Sequence, residues 1–145
     1  MEVLIYIGLF SILMSGAVVA AYQLMGSGAH NQTSVLVQEE GTFLNRKINW
    51  ALTGATAVSV SGGGSTLTVT RPNLGAQSPL VISGGGGNVT LMRGGSAQVI
   101  LNSASLKVSN LLFTETPAAF GRPTEVDVSF MVNATPFVFK TYLRQ

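Results

Sequence analysis

Cysteine is absent from this chain of 145 residues, and histidine and tryptophan occur once each, as His30 and Trp50. The lack of cysteine excludes disulfides, thiolate metal sites and cysteine nucleophiles. His30 has no second histidine with which to share a metal ion, and it stands in a polar break where we expect an exposed side chain. Charged residues make up 10% of the chain, against about 25% in typical soluble proteins.

Motifs for catalysis or phosphate binding are also missing. No Gly-x-Ser-x-Gly elbow occurs, and the glycine runs are not followed by the Lys-Ser/Thr of a phosphate loop. Glu125 and Asp127 lie two residues apart, so they share one strand face. That pair is consistent with a weak cation site, although the pattern favours a solvated face. The sequence therefore predicts no catalytic residue, no metal and no cofactor, and a protein that is not an enzyme.

A long apolar run occupies residues 3–25, VLIYIGLFSILMSGAVVAAYQLM, and holds no charged residue. As a helix at about 1.5 Å per residue it extends roughly 34 Å, enough to cross a hydrocarbon core of about 30 Å. A cleaved secretory signal is one alternative, but it has a basic start and a shorter apolar stretch. A plain single-span anchor is the other, and it leaves the acid at Glu2 without a role.

A second helical stretch follows a polar break that includes Gly26 and Gly28. Its apolar residues recur at helical spacing, which places them on one face, while its charged residues lie on other faces. Gly54 is a plausible stop for this helix. We expect one helix to about Gly54, weakened near the two glycines, whose second half docks on a domain through Val37, Leu44, Ile48 and Leu52.

Beyond residue 54 the apolar pattern has a period of two, typical of β-strands. Short glycine-rich connections favour antiparallel hairpins, and no helical pattern intervenes. The expected fold is α+β: a membrane or filament-core helix at 1–25, its amphipathic continuation at 26–54, and one small antiparallel sheet at 55–145. We expect a face of the last hairpin to pack on the amphipathic helix, and Trp50 to be a packing residue. The predicted strands are 57–61, 66–71, 80–83, 88–93, 97–101, 106–113, 126–133 and 137–143.

Charge divides unevenly along the chain. Residues 1–53 hold two basic and three acidic residues, whereas residues 54–145 hold six basic and three acidic ones. The basic residues are scattered, so solubility is the simplest interpretation, and a nucleic-acid surface that uses Arg71, Arg93 or Arg122 is the alternative.

The order of parts resembles that of type IV pilins and of the related pseudopilins of type II secretion. The stretch from Glu2 through Val3, Leu4 and Ile5 to Phe10 looks like the start of their apolar helix. In this resemblance Glu2 takes the place of the near-invariant acid of that family. The resemblance covers the whole chain in architecture and about the first 25 residues in motif. Met1 stands directly before Glu2, so the family's basic leader, glycine and Phe-Thr-Leu-Ile segment do not precede it in this sequence. A start assigned too far downstream, a trimmed chain and an unprocessed subunit are the three explanations, and they bear on leader cleavage and N-methylation.

The resemblance implies a structural subunit of a pilus-like filament or a pseudopilus, held first in the bacterial inner membrane and then in an extracellular or periplasmic filament. Its implied partners are copies of itself or other pilins, the inner-membrane assembly platform and, before assembly, lipid. Glu2 would pair with the N-terminal amine of a neighbouring subunit and set the register. The residues expected to form the membrane or filament core are Val3, Leu4, Ile5, Ile7, Leu9, Phe10, Ile12 and Leu13. The two alternative functions are an envelope interaction module on a plain transmembrane helix and a DNA-uptake pseudopilin.

Overall fold

A computed structural model describes residues 2–143, with the side chains of residues 24–31 excepted. The chain divides into two compact units, Met1–Leu36 and Val37–Gln145. This division falls inside the long N-terminal helix. The order of elements is α+β, as predicted: one helix and then antiparallel strands.

Helix α1 runs over Glu2–Leu52. Gly26 and Gly28 do not interrupt it, since the backbone is helical through both. The helix ends because Gly54 adopts a φ of +76°, a left-handed conformation that glycine accepts without steric cost and that commonly follows the last helical turn. The Ala55 N–H then donates to the Leu52 carbonyl at 3.1 Å.

The first unit consists of the N-terminal part of α1. Its segment Glu2–Gln23 is long and apolar enough to cross a membrane, and none of it is buried inside the protein. Hydroxyl groups in this segment hydrogen-bond within the helix: that of Ser11 donates to the Ile7 carbonyl at 2.8 Å, and that of Ser15 donates to the Ile12 carbonyl at 2.9 Å. Such internal bonds lower the cost of placing a hydroxyl in an apolar surrounding.

The second unit contains two antiparallel sheets, so the prediction of one sheet is wrong. Five strands form a meander in the order of the chain, β1 Ala57–Ser61, β2 Thr66–Thr70, β3 Leu80–Gly85, β4 Asn88–Arg93 and β5 Val99–Ile100. Three more form the second sheet, β6 Val108–Thr116, β7 Glu125–Val132 and β8 Thr135–Tyr142. Chain neighbours pair because their connections are short, but no pairing crosses from β5 to β6.

Strand bounds depart from the prediction mainly in the second half. The strand expected at 97–101 is reduced to Val99–Ile100, and the one expected at 106–113 begins later and runs to Thr116. A bulge in β6 between Ser109 and Leu112, with Asn110 at a φ of +53°, shifts its register on β7. Two short 3-10 segments, Gly62–Gly64 and Pro72–Gln77, join strands that the sequence pattern links by loops.

The core lies between α1 and both sheets of the second unit. Alternation along β7 places Val126, Val128, Phe130 and Val132 inside, since successive side chains point to opposite faces. The turn to β8 needs only Asn133 and Ala134, at φ values of +45° and +74°, which matches the tight turns that suit twisted hairpins. The other buried apolar residues come from the helix, from β2 to β4, from β6 and from the ends of these elements.

Candidate assembly and contact surfaces

The residues predicted to form a membrane or filament core lie along the first unit with their side chains exposed. Val3 and Leu4 are 68% and 71% exposed, and Phe10 is 60% exposed. Glu2 occupies the first turn of α1, where a carboxylate interacts favourably with the helix dipole. The other predicted core residues are exposed as well, namely Ile5, Ile7, Leu9, Ile12 and Leu13. This stretch therefore presents an apolar surface all round, with an acid at its beginning.

The residues predicted to dock the helix on a domain lie in the second unit. Val37, Leu44, Ile48 and Leu52 are all buried, with exposed fractions of 5% or less. They belong to the same cluster as the inward residues of both sheets. Ala51, in the last turn of the helix, and Ala55, just after it, are buried in the same cluster.

Close approach between the helix and β8 depends on a glycine. A Cβ atom at Gly41 would overlap the ring of Phe137, so the absence of a side chain lets that ring lie against the helix backbone. Phe130 stacks on Phe137 with ring centroids 5.3 Å apart. Farther along the helix, Asn49 accepts a hydrogen bond from the Thr141 hydroxyl. Apolar and polar contacts thus fix the helix to the last hairpin.

Trp50 is 41% exposed rather than fully packed. Two guanidinium groups lie over its ring, with the Arg71 carbon 5.1 Å and the Arg93 carbon 5.6 Å from the centroid. Arg71 Nη1 also donates to the Trp50 carbonyl at 2.8 Å, at the helix end where free carbonyls attract cations. The result is an exposed aromatic ring flanked by two positive charges.

The convergence of Arg71 and Arg93 was not predicted from the sequence. Arg71 directly follows β2 and Arg93 ends β4. In an antiparallel meander, β2 and β4 run in the same direction and end at the same edge. The strand assignment itself therefore carries the signal that these arginines are close, although their meeting at Trp50 needs the helix.

Glu125 and Asp127 share a strand face as predicted, and a cation from the same protein lies between them. Lys140 Nζ is 2.6 Å from Glu125 Oε1 and 3.1 Å from Asp127 Oδ1. These contacts follow from the pairing of β7 with β8, which sets Asp127 opposite Lys140. The hydrogen bond to Glu125, and then that to Asp127, raises the pKa of Lys140. One surface lysine is thus shared by the two acids and offsets part of their charge, an arrangement that contributes little to stability.

Two further residues singled out from the sequence, Arg122 and His30, do not belong to the contacts described above. Arg122 ends a tight turn in which its N–H donates to the Ala119 carbonyl at 2.8 Å. The side chain of His30 lies outside the described residues. Among the side chains that the structure describes, which exclude those of residues 24–31, no group of three histidine or acidic residues is placed to hold a metal ion.

Comparison with protein-family models, with curated proteins and with solved structures found no match to this chain.

Proposed function

We propose that the chain is a structural subunit of a type IV pilus-like filament or of a type II secretion pseudopilus. The observation that carries this proposal is the segment Glu2–Gln23, a helix with the length and composition of a membrane span and with none of its residues buried in the protein. Apolar surface left in water costs about 25 cal/mol per Å². Such a helix requires lipid or other apolar helices around it.

In the proposed mechanism the helix is surrounded first by lipid and later by the helices of other subunits. Before assembly, the segment lies in the inner membrane, where a helix satisfies every backbone hydrogen bond internally. On assembly, it leaves lipid and packs against the equivalent helices of other subunits in the filament core. Small residues such as Gly8 and Gly16, where an added Cβ would meet nothing within 4 Å, suit close helix packing.

The second unit supports the proposal through its organisation. Helix residues 37–52 supply one side of a core whose other sides are antiparallel sheets. In a filament subunit, this unit faces outward and makes the lateral contacts, and the inner-membrane assembly platform acts on the subunit before incorporation.

Glu2 gives the proposal its sharpest prediction. A carboxylate at the beginning of an apolar helix is costly in lipid unless it is paired. In the proposed filament it pairs with the N-terminal amine of a neighbouring subunit. A charged pair in a poorly hydrated core discriminates between registers, because a mismatched acid remains unpaired.

The test is Glu2→Ala in the full-length chain, produced in bacteria that hold a pilus or pseudopilus assembly system. We expect the variant to enter the membrane fraction as the wild type does, and to be lost from sheared surface filaments. Glu115→Ala, which removes an acid from β6, is the matched control and is expected to assemble normally.

The outcome against the proposal is equally specific. Normal amounts of Glu2→Ala in the filament fraction reject the role of Glu2 in register. A wild-type chain that resists alkaline extraction from membranes but never enters a filament favours an interaction module on a plain transmembrane helix.

A further inference from the structure

Positive charge is concentrated at the end of α1, beside the single tryptophan of the chain. The guanidinium carbons of Arg71 and Arg93 lie 5.1 Å and 5.6 Å from the centroid of the Trp50 ring, so two cations share one small surface. Like charges this close repel one another unless an anion accompanies them. The ion pairs among the described side chains are those of Lys140. The two arginines therefore present positive charge that an anion from outside the protein can neutralise.

Strand pairing places the two arginines on the same face of the first sheet. Leu80 pairs with Val69 on one side and with Arg93 on the other, and directly paired residues point to one face. Arg71 follows Val69 by two residues and its backbone is still extended, so alternation returns it to that face. Val69 and Leu80 are buried on this face. The arginines stand at its end, where the core finishes and Trp50 lies.

Arg71 is held in position by the protein itself. Its Nη1 donates to the Trp50 carbonyl at 2.8 Å, and its backbone N–H donates to the Ser78 hydroxyl at 3.0 Å. Its Nε is buried and has no hydrogen-bond partner. A cation partly removed from water attracts an anion more strongly than one in full solvent. A side chain that is already fixed also loses little conformational freedom when a ligand binds.

Two further donors at the same place are open to solvent. Arg93 is exposed, and the contact of its guanidinium is with the Trp50 ring. Asn73 is exposed as well. Its Nδ2 and the Arg71 Nη2 lie 3.9 Å and 3.6 Å from the position that a Cβ atom would take at Gly54, so no side chain of that residue covers them. Guanidinium and amide N–H groups are donors that suit carboxylate oxygens.

From these contacts we infer that Trp50, Arg71 and Arg93 form a binding site for a carboxylate attached to a ring, as in a uronic acid. The planar fork of an arginine matches the two oxygens of a carboxylate. Trp50 is 41% exposed, and its indole offers an apolar surface to the ring that bears the carboxylate. The inference goes beyond the proposed filament function and does not depend on it.

A nucleic-acid strand fits this arrangement less well. Such a strand carries its phosphates in a row and binds to cations that follow its backbone. Arg71 and Arg93 converge on one ring instead. Of the other basic residues, Arg122 lies in the connection between β6 and β7, and Lys140 is already paired with two acids. Two charges that converge beside one aromatic ring favour a single anionic group.

Tryptophan fluorescence measures binding at this site directly, because Trp50 is the only tryptophan of the chain. The full-length protein in non-ionic detergent would be titrated with glucuronate at low ionic strength. We expect a saturable change in emission with a dissociation constant on the order of 1 mM, as for a small ligand with few contacts. Glucose lacks the carboxylate and acetate lacks the ring, and each is expected to bind at least about tenfold more weakly.

An oligomer of galacturonate distinguishes the two sources of this chemistry. Tighter binding of the oligomer per uronate unit identifies a linked polysaccharide as the ligand, whereas equal binding identifies the free acid. Either result supports a site for a ring-bearing carboxylate.

Substitutions assign the binding to the arginines. R93Q removes an exposed guanidinium and is expected to weaken glucuronate binding about tenfold or more, since a hydrogen bond between charged groups is lost. R93K keeps the charge without the fork and is expected to recover only part of the affinity. R122Q, at another exposed arginine, is the matched control and is expected to bind as the wild type does. Circular dichroism of each variant checks that the fold is kept.

Four results overturn the inference. Absence of saturable glucuronate binding, by fluorescence and by titration calorimetry, excludes the site. Unchanged affinity in R93Q removes Arg93 from it. Equal losses in R93Q and R122Q show an effect of net charge alone. Binding of a thymidine oligonucleotide without binding of glucuronate assigns the two arginines to phosphate groups instead.

Discussion

Asn102 is a polar side chain buried in the second unit, with 7% of its surface exposed. Its Oδ1 accepts the Val89 N–H at 2.8 Å, and its Nδ2 donates to the Leu106 carbonyl at 2.9 Å. These bonds tie β4 to the segment that leads from the first sheet to the second. The Asn102 amide therefore satisfies one backbone group in β4 and one in the segment that connects the two sheets.

Replacement of this side chain leaves those backbone groups unsatisfied. We expect Asn102→Ala to lower the free energy of unfolding by about 3 kcal/mol, because each of two buried groups left without a partner costs about 1–3 kcal/mol. Urea denaturation of the chain in detergent measures the change. Asn73→Ala, at an exposed asparagine, is expected to stay within about 0.5 kcal/mol of the wild type. Equal effects of the two substitutions would contradict this role for Asn102.

Helix α1 changes its surroundings along its length, and its sequence changes with them. Over residues 3–22 the side chains are mainly apolar on all sides and exposed. In the second unit Leu44 and Ile48 lie on the buried face, and Glu39 and Arg46 lie on the exposed face. A single helix thereby supplies both an apolar surface without a partner in this protein and one side of a folded core.

At Gly41 the ring of Phe137 in β8 lies against the helix backbone. We expect Gly41→Ala to destabilise the second unit by about 1–2 kcal/mol, since overpacking costs about 1–3 kcal/mol and the higher helix propensity of alanine returns up to about 1 kcal/mol. In a Phe137→Leu background the same substitution should cost much less, because the smaller side chain leaves room for the new methyl group.

The control for this prediction is another glycine with open space beside it. Gly85 lies at the end of β3, and an added Cβ there would meet nothing within 4 Å. Gly85→Ala is expected to leave the urea midpoint nearly unchanged. If the cost of Gly41→Ala is the same with Phe137 and with leucine at that position, the contact does not limit packing.

At the scale of the whole molecule, the hydrophobic core lies entirely on one side of the division between units. Every residue of the core cluster falls within Val37–Gln145. A folded unit holds its stability in its own buried surface, so the second unit does not depend on the first for its core.

Removal of residues 1–36 should therefore leave a protein that folds. We expect the chain 37–145 to remain in solution without detergent and to unfold cooperatively in urea, whereas the full chain requires detergent or lipid. Circular dichroism and urea denaturation of the purified fragment make the measurement. Aggregation of the fragment, or unfolding without a cooperative transition, would show that residues 1–36 contribute to the fold.

Local patterns in the sequence were sufficient for most of the elements. Apolar periodicity of 3.6 and of 2.0 separates α1 from the strands, and β1 and β4 begin and end where that alternation does. The prediction fails where the determinants are not local. The bulge in β6 and the shortening of β5 depend on which strand pairs with which, and a period-two pattern does not record that choice.

By itself the sequence determined the apolar helix with Glu2 at its start, the inward face of the amphipathic helix and the antiparallel character of the strands, because each follows from the periodicity of neighbouring residues. Only the tertiary structure decided that the strands divide into two sheets, that Lys140 forms ion pairs with both Glu125 and Asp127, and that Arg71 and Arg93 meet over Trp50. These features join residues far apart in the chain. Their contacts depend on strand order and on the packing of the helix, which no local pattern of residues specifies.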